Sequence, residues 1–171
     1  FHFLAYLTAN QFGGILADDM GLGKTLQTLA WIAWLRETGQ AKEPSIVICP
    51  KSVQDNWLAE AGRFFPQLRV KVWSRDTASE GVPAEGCDLL VIHYQQLRMH
   101  EHDLTSRTWG VAILDEAQAI KNPTSQTSQA ACHLRARFRL ALTGTPIENR
   151  LLDLWAILAF AMPGALGTRA H

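Results

Sequence analysis

Short aliphatic runs alternate with longer amphipathic stretches along this chain, and no other feature of the sequence constrains the fold as strongly. Nearly continuous aliphatic residues are typical of strands that are covered on both faces, and the amphipathic stretches have the period of helices. Strands and helices in alternation predict an α/β fold with a mostly parallel central sheet. The aliphatic runs are residues 13–17, 45–49, 69–73, 88–92, 110–114 and 138–142. The helical stretches are residues 24–36, 53–64, 95–106 and 125–135.

Length and composition fit one such domain. The chain has 171 residues, of which 47% are hydrophobic, enough to bury a sizeable core. Sixteen basic and sixteen acidic residues leave a formal net charge of zero, so any basic surface for a nucleic acid must be local. The cysteines Cys49, Cys87 and Cys132 lie far apart, which predicts reduced, structural thiols in a cytosolic setting. No signal peptide is visible, and the most apolar stretch, residues 151–164, is too short to span a bilayer.

The first aliphatic run leads into the loop Asp-Asp-Met-Gly-Leu-Gly-Lys-Thr, residues 18–25, and a helical pattern follows. Gly21 and Gly23 permit a close backbone approach, so that N–H groups at a helix N-terminus can point at phosphate oxygens. Lys24 would reach the β- and γ-phosphates, and the Thr25 hydroxyl would bind Mg²⁺. An aspartate stands where the usual phosphate-loop pattern has its first glycine. The strand–loop–helix context nevertheless predicts a nucleotide-binding loop.

A second polar element follows the run 110–114, where the sequence continues Asp-Glu-Ala-Gln. Asp115 can hold Mg²⁺, because this ion prefers hard oxygen ligands and retains several waters. Glu116 is then the natural general base that orients and deprotonates an attacking water. The alternative is that Asp115 only caps the helix that follows. Its place after an aliphatic run and downstream of Gly-Lys-Thr favours the catalytic interpretation.

The last aliphatic run continues into Thr-Gly-Thr-Pro-Ile-Glu-Asn, residues 143–149. Thr145 and Glu148 fit a capping box with proline at the first helical position. A functional interpretation is that Thr143 and Thr145 lie at the carboxyl end of a strand and sense the acidic residues, which would couple the nucleotide state to movement. The two interpretations are compatible, and both remain open on spacing alone.

Four segments in order resemble the Swi/Snf family of DNA-dependent ATPases, a branch of helicase superfamily two: GILADDMGLGKTLQTLAWI, VICPKSVQDNWLAE, VAILDEAQAIKNPTSQ and LALTGTPIENRLLDLWAIL. The resemblance covers nearly the whole chain. It implies a three-layer, RecA-like P-loop NTPase domain spanning residues 1–171, the N-terminal lobe of a larger two-lobe motor. The glutamine-bearing motif that contacts adenine in the family would lie upstream of this sequence.

The resemblance also implies roles for individual residues. Asp115 and Glu116 would form the Mg²⁺ and water site, and Lys51 and Ser52 would contact the phosphate backbone of one DNA strand. Trp57, on the next helix, is part of the same resemblance to the DNA-contacting motif, but we expect it to be a core residue. The residues implied to form the ATP loop are Asp18, Asp19, Met20, Gly21, Leu22, Gly23, Lys24 and Thr25. The residues implied to couple that site to movement are Gln118, Thr143, Gly144 and Thr145.

The sequence departs from the family at several points. Asp19 stands where glutamate is usual, and the acidic pair at 18–19 either ties the loop to neighbouring basic groups or a partner domain, or is simply solvated. The family often has threonine or serine before Tyr94, whereas this chain has His93, for which we expect a buried or capping role. The cluster at Arg135, Arg137 and Arg139 fits a solvated helix end at the amino edge of the sheet.

The leading functional hypothesis is an ATP-driven translocase on double-stranded DNA that remodels protein–DNA complexes, with ATP and Mg²⁺ as cofactors and the second RecA-like lobe as intramolecular partner. Alternatives are a polymerase-recycling or RNA-directed ATPase, a nucleotide-binding interaction module without motor action, and a small-molecule kinase. No membrane association is expected, and the location would be cytoplasmic, at the nucleoid in a bacterium or in the nucleus of a eukaryote. Because arginines of a second lobe would stabilise the transferring phosphate, the isolated lobe should hydrolyse ATP slowly or not at all.

Overall fold

A computed structural model describes residues 2–17, 23–74, 81–144 and 151–167. These residues contain one six-stranded sheet in the order β1-β6-β5-β2-β4-β3, and every neighbouring pair of strands is parallel. The strands are β1 (Gly14–Leu16), β2 (Ser45–Cys49), β3 (Val70–Val72), β4 (Leu89–His93), β5 (Thr108–Leu114) and β6 (Arg135–Leu142). The predicted α/β class with a parallel sheet is therefore confirmed.

Helices cover both faces of the sheet. The helices are α1 (His2–Ala9), α2 (Lys24–Glu37), α3 (Gln54–Phe64), α4 (Tyr94–Met99), α5 (Glu101–Thr105), α6 (Gln126–His133) and α7 (Leu151–Ala161). Two short 3-10 turns, Lys51–Val53 and Ala117–Ile120, follow β2 and β5. The single helix predicted at 95–106 is divided into α4 and α5, because the backbone of His100 leaves the helical region and its ring packs on Trp73, with 4.5 Å between ring centroids.

The two hydrophobic cores explain why the strands have nearly continuous aliphatic sequences. Successive side chains of a strand point to opposite faces. On β2, Ile46 and Ile48 pack with the layer of α4 to α7, whereas Val47 and Cys49 pack with the layer of α1 to α3. Both faces are buried, so the strand does not alternate between apolar and exposed polar residues. The predicted three layers follow from this arrangement.

The arginine cluster differs from the expectation. Arg135, Arg137 and Arg139 do not lie at a solvated helix end, because β6 begins at Arg135 and extends alongside β5. Arg135 and Arg137 do lie in the half of β6 toward the amino edge of the sheet, whereas Arg139 lies just past the middle of the strand. Arg137 forms an ion pair with Glu43 at 2.6 Å, and Arg135 donates to the carbonyl oxygen of Thr105 at 3.0 Å. Extended backbone, rather than a helix C-terminus, therefore positions these guanidinium groups.

Two further expectations concern the cysteines and membranes. All three cysteines are free thiols, and Cys49 and Cys87 are buried, in agreement with the predicted structural role. Burial raises the pKa of Cys49 to about 12, so this thiol stays protonated. None of the helices within the described ranges has the length and apolar character needed to cross a lipid bilayer.

Candidate active site

The predicted site residues follow strands that are neighbours in the sheet. β6 lies between β1, which precedes the phosphate loop, and β5, which precedes the acidic residues. Parallel strands are spaced by about 4.8 Å, so the ends of β1 and β5 are roughly 10 Å apart at the carboxyl edge. This edge is where ligands bind in open α/β sheets. A gap of this width leaves room for phosphate groups between the two elements.

Lys24 is the first residue of α2, directly after Gly23. Gly23 has a φ of 72°, a left-handed conformation that strongly favours glycine, and it turns the chain into the helix. Within the described residues, no side-chain hydrogen bond caps this helix N-terminus, and a helix N-terminus is a favourable place for an anion. The ammonium group of Lys24 opposes the rise in the pKa of Asp115, so the two side chains interact electrostatically. The remaining predicted loop residues, 18–22, lie outside the described residues.

Asp115 follows β5 directly, and its carboxylate is held by two donors. The backbone N–H of Glu116 donates to Oδ1 at 2.9 Å, and the indole Nε1 of Trp57 donates to Oδ2 at 2.8 Å. Burial raises the pKa of the Asp115 carboxyl above its ordinary value, and the Trp57 hydrogen bond and the charge of Lys24 oppose this rise. The helix-capping alternative is wrong, because Glu116 rather than Asp115 is the residue that precedes the following 3-10 turn.

Glu116 adopts a backbone conformation that is rare for a residue with a side chain. Its φ is 52° and its ψ is 56°, in the left-handed region, which costs roughly 1 kcal/mol or more for a non-glycine residue. The hydroxyl of Tyr94 donates to the carbonyl oxygen of Asp115 at 2.7 Å and fixes the chain just before the turn. The left-handed turn directs the peptide away from the line of β5 immediately after Asp115.

A chain of hydrogen bonds joins Glu116 to β6 and β1. Gln118 Nε2 donates to Glu116 Oε2 at 2.5 Å, and the Thr143 hydroxyl donates to Gln118 Oε1 at 3.2 Å. The backbone N–H of Thr143 also donates to the carbonyl oxygen of Leu16 at 3.1 Å. Gly144 follows at the same edge, and Thr145 with the rest of the predicted capping box lies outside the described residues. Thr143 thus joins the segment after β6 to the acidic segment and to the end of β1.

The predicted DNA-contacting residues lie at the same edge, on the far side of Asp115 from β1. Lys51 and Ser52 are exposed in the 3-10 turn after β2, and the N–H of Asp115 donates to the carbonyl oxygen of Ile48 in that strand at 2.8 Å. His93 precedes α4 and forms a reciprocal capping box, in which its ring accepts from the N–H of Gln96. The capping role expected for His93 is confirmed.

The contacts of two aromatic residues with the acidic segment were not predicted from the sequence. Trp57 is fully buried, as expected of a core residue, but its N–H donates to the Asp115 carboxylate. Tyr94 donates its hydroxyl to the backbone of the acidic segment. The only signal in the sequence is position, since Tyr94 follows β4 directly and Trp57 lies in the first turn of the helix after the β2 edge. Neither position specifies a partner.

The oxygen donors fit a magnesium ion that is bound together with a nucleotide. Among the residues that the structure describes, no group of three or more histidine, cysteine or acidic side chains forms a metal cluster. Mg²⁺ is usually bound through one or two carboxylates, waters and substrate phosphates rather than by a cage of side chains. Asp115 supplies a carboxylate held in place by two donors, and Thr25 supplies a hydroxyl at the start of α2. This donor set suits a hard divalent cation.

Three features define a RecA-like α/β domain of the P-loop class. The strands are parallel, a glycine turn leads into a helix that begins with a lysine, and an acidic pair follows the next strand but one. Solved structures agree with this class. The chain matches the Sulfolobus solfataricus SWI2/SNF2 ATPase core in complex with dsDNA with a TM-score of 0.88 and 40% identity, over 98% of this chain and 36% of that chain.

The SNF2-related domain family matches residues 1–171, and the chain belongs to this family. It is 41% identical to an ATP-dependent helicase of Mycoplasma pneumoniae, over 95% of this chain and 16% of that protein. It is 38% identical to the ISWI chromatin-remodeling complex ATPase ISW1 of Saccharomyces cerevisiae, over 95% of this chain and 15% of that protein. The chain therefore spans about a sixth of the length of these relatives.

Proposed function

We propose that this chain is the N-terminal, ATP-binding lobe of a Swi/Snf-type motor that uses ATP hydrolysis to move on double-stranded DNA and remodel protein–DNA complexes. The observation that carries the proposal is the hydrogen-bond chain at one sheet edge, in which Glu116 is linked through Gln118 to Thr143. Lys24 begins α2 on the other side of this chain, and its charge acts on the Asp115 carboxyl. Membership in the SNF2-related family and the likeness to a solved ATPase core in complex with dsDNA support the same conclusion.

The proposed nucleotide site divides the work among three side chains. Lys24 and the N–H groups at the start of α2 bind the phosphates, with loop residues 18–22 completing the cradle. Glu116 accepts a proton from the water that attacks the γ-phosphorus while the bond to the bridging oxygen of ADP breaks. Mg²⁺, held by Asp115 and Thr25 when bound, would neutralise charge on the phosphates. Asp115 is kept in orientation by the donors described above.

Coupling to DNA uses the neighbouring elements in this proposal. Gln118 and Thr143, with Gly144 and Thr145, report the state of the acidic residues to the segment that follows β6. Lys51 and Ser52 contact the DNA backbone from an exposed turn at a helix N-terminus, which positions the duplex without reading its sequence. A second RecA-like lobe of the same protein supplies arginines that stabilise the transferring phosphate. A motor of this kind acts in a compartment that contains DNA and keeps cysteines reduced.

A substitution of the general base tests the proposal. In the full-length protein, Glu116→Gln should lower ATP turnover by at least ~100-fold and leave ATP affinity within a few-fold, because the amide cannot accept the proton of water. The matched control is Glu37→Gln, at the exposed end of α2 that points away from the site, which should retain wild-type turnover. Turnover is measured with duplex DNA, single-stranded RNA and no nucleic acid.

Stimulation by duplex DNA alone, lost in Glu116→Gln, is the expected result. Stimulation by RNA in place of duplex DNA would favour the RNA-directed ATPase. An enzyme that binds ATP but shows no turnover in any condition, with Glu116→Gln unchanged from the wild type, would favour the passive interaction module. Transfer of phosphate to a small molecule would favour the kinase.

A further inference from the structure

Trp57 makes a direct contact with the carboxylate that the proposed function assigns to the metal. Its side chain is fully buried in the first turn of α3, and its indole Nε1 lies 2.8 Å from Asp115 Oδ2. A tryptophan N–H can only donate a hydrogen bond, and a bond to an ionised carboxylate is among the stronger ones in proteins. The contact therefore favours the charged form of Asp115.

The two donors on Asp115 act from different elements and fix the plane of its carboxylate. Oδ1 accepts from the backbone N–H of Glu116 in the turn after β5, and Oδ2 accepts from the indole on α3. Each carboxylate oxygen has two lone pairs and accepts one hydrogen bond from the described residues, which leaves each a second acceptor position that a metal can use. Because Trp57 is packed on all sides, it cannot follow the carboxylate if that group rotates, and the rotation would break the bond.

Other buried tryptophans use their N–H groups differently. Trp31 donates to the hydroxyl of Thr8 at 2.8 Å, and Trp109 donates to the carbonyl oxygen of Leu104 at 2.9 Å. These bonds satisfy a buried donor and lie away from the candidate site. Trp109 is a suitable control for Trp57. It is fully buried like Trp57 and its N–H forms a bond of similar length, but the partner is not Asp115.

We propose that Trp57 is a positioning residue, which holds the Asp115 carboxylate in the orientation that binds the metal of a metal–nucleotide complex. The inference rests on the proposed function and assigns to that site a residue on α3. The helix that carries Trp57 starts from the 3-10 turn of Lys51 and Ser52, so the metal-binding carboxylate and the DNA-facing turn are joined through one helix. Partners of this kind around metal ligands change metal affinity by roughly 10- to 100-fold when they are removed.

The test measures the affinity of the full-length protein for ATP by calorimetry, with saturating Mg²⁺ and with a chelator. The ratio of the two affinities is the magnesium benefit. Trp57→Phe removes the donor and should lower this benefit roughly tenfold or more, toward the value of Asp115→Asn, with little change in metal-free affinity. Trp57→His should retain most of the benefit, because the histidine ring can place an N–H where the five-membered ring of the indole has its own.

Trp109→Phe is the structural control. It also loses a buried hydrogen bond and aromatic volume, and it should keep the wild-type magnesium benefit while unfolding at a lower urea concentration. A Trp57→Phe variant that keeps the wild-type benefit, or a Trp109→Phe variant that loses it equally, would overturn the inference. If Trp57→Phe does not fold, Trp57→His decides: a benefit near the wild type supports the inference, and a benefit equal to that of Asp115→Asn overturns it.

The proposed function fails in a different way. If the wild-type protein binds ATP with no magnesium benefit, or does not bind ATP at all, the assignment of Asp115 to the metal is wrong and the role of Trp57 falls with it. If the wild type shows the benefit and all Trp57 variants retain it, the site stands and only the positioning role is wrong.

Discussion

At the scale of single residues, the half-buried Asp115 carboxylate and the buried Asp88 carboxylate have opposite surroundings. The Asp115 carboxyl has a raised pKa, because burial outweighs its two hydrogen bonds and the charge of Lys24. The Asp88 carboxyl is also buried, and burial alone would raise its pKa, but hydrogen bonds from Arg69 and the charge of Arg36 lower it below the ordinary value. A carboxylate with spare acceptor positions suits a ligand, whereas one enclosed by guanidinium groups is structural.

We predict that Asp88→Asn destabilises the fold by about 2–4 kcal/mol at pH 7, because it leaves the Arg36 and Arg69 guanidinium groups without their buried partner. The folded pKa of Asp88 is lowered, so the stability it contributes is present above its ordinary value near 4 and is lost as the pH falls through the folded pKa. Urea unfolding at pH 7 and at pH 3 should show a smaller difference between wild type and variant at the lower pH.

Asp103→Asn is the control for this prediction, because Asp103 is an exposed aspartate that contacts the adjacent, exposed His102. It should change the free energy of unfolding by no more than about 0.5 kcal/mol at either pH. A difference for Asp88→Asn that stays constant from pH 7 to pH 3 would contradict the role given to its charge.

Residue chemistry in the sequence predicted some of this site and not the rest. Lys24, Asp115 and Glu116 were identifiable because their types and their places after strands suit phosphate, metal and water. The Trp57–Asp115 and Tyr94–Asp115 bonds were not, because each joins residues far apart along the chain. A sequence indicates that an indole is buried, and only the packing of α3 against the sheet determines where its N–H points.

At the scale of secondary structure, the aliphatic runs predicted all six strands, since strands buried on both faces have no polar alternation to obscure them. The ends were less well predicted. β6 begins at Arg135 rather than near residue 138, because pairing with Thr108 and Trp109 of β5 outweighs the local charge of the arginines. The break at His100 between α4 and α5 depends on a contact with Trp73, which local sequence does not specify.

The close packing of the residue before β1 against α7 requires a glycine. A Cβ atom at Gly13 would overlap the carbonyl oxygen of Ala161 at the end of α7, so only glycine allows this approach. We predict that Gly13→Ala destabilises the fold by about 3 kcal/mol, because backbone atoms must move apart. At Gly62, in α3, an added Cβ would have no atom within 4 Å, and Gly62→Ala should stabilise the fold by about 0.5–1 kcal/mol through helix propensity.

Urea denaturation of the two alanine variants measures both effects in one experiment. Opposite signs are the expected outcome. Equal shifts, or a Gly13→Ala variant as stable as the wild type, would show that α7 does not approach β1 as closely as described.

At the scale of the whole molecule, the candidate functional residues and the structural ion pairs lie at opposite edges of the parallel sheet. The candidate site residues lie after the carboxyl ends of β1, β6, β5 and β2, whereas the Asp88 cluster and the Arg137–Glu43 ion pair lie toward the amino ends. A formal net charge of zero is compatible with this arrangement, since Lys51 contributes a local positive charge at the site edge. The strand order places β1 and β5 on either side of β6, so the elements that carry Lys24 and Asp115 meet at one sheet edge although the two residues are distant in sequence.

Central to the proposed function is the binding of one metal–triphosphate complex by Lys24 and Asp115. The most direct measurement is a crystal structure with a non-hydrolysable ATP analogue and Mn²⁺ in place of Mg²⁺, with the manganese located by anomalous scattering. We predict the manganese at the Asp115 carboxylate, directly or through one water, and the terminal phosphates beside the Lys24 ammonium group. Manganese and nucleotide bound elsewhere, such as beside the arginines of β6, would contradict this prediction.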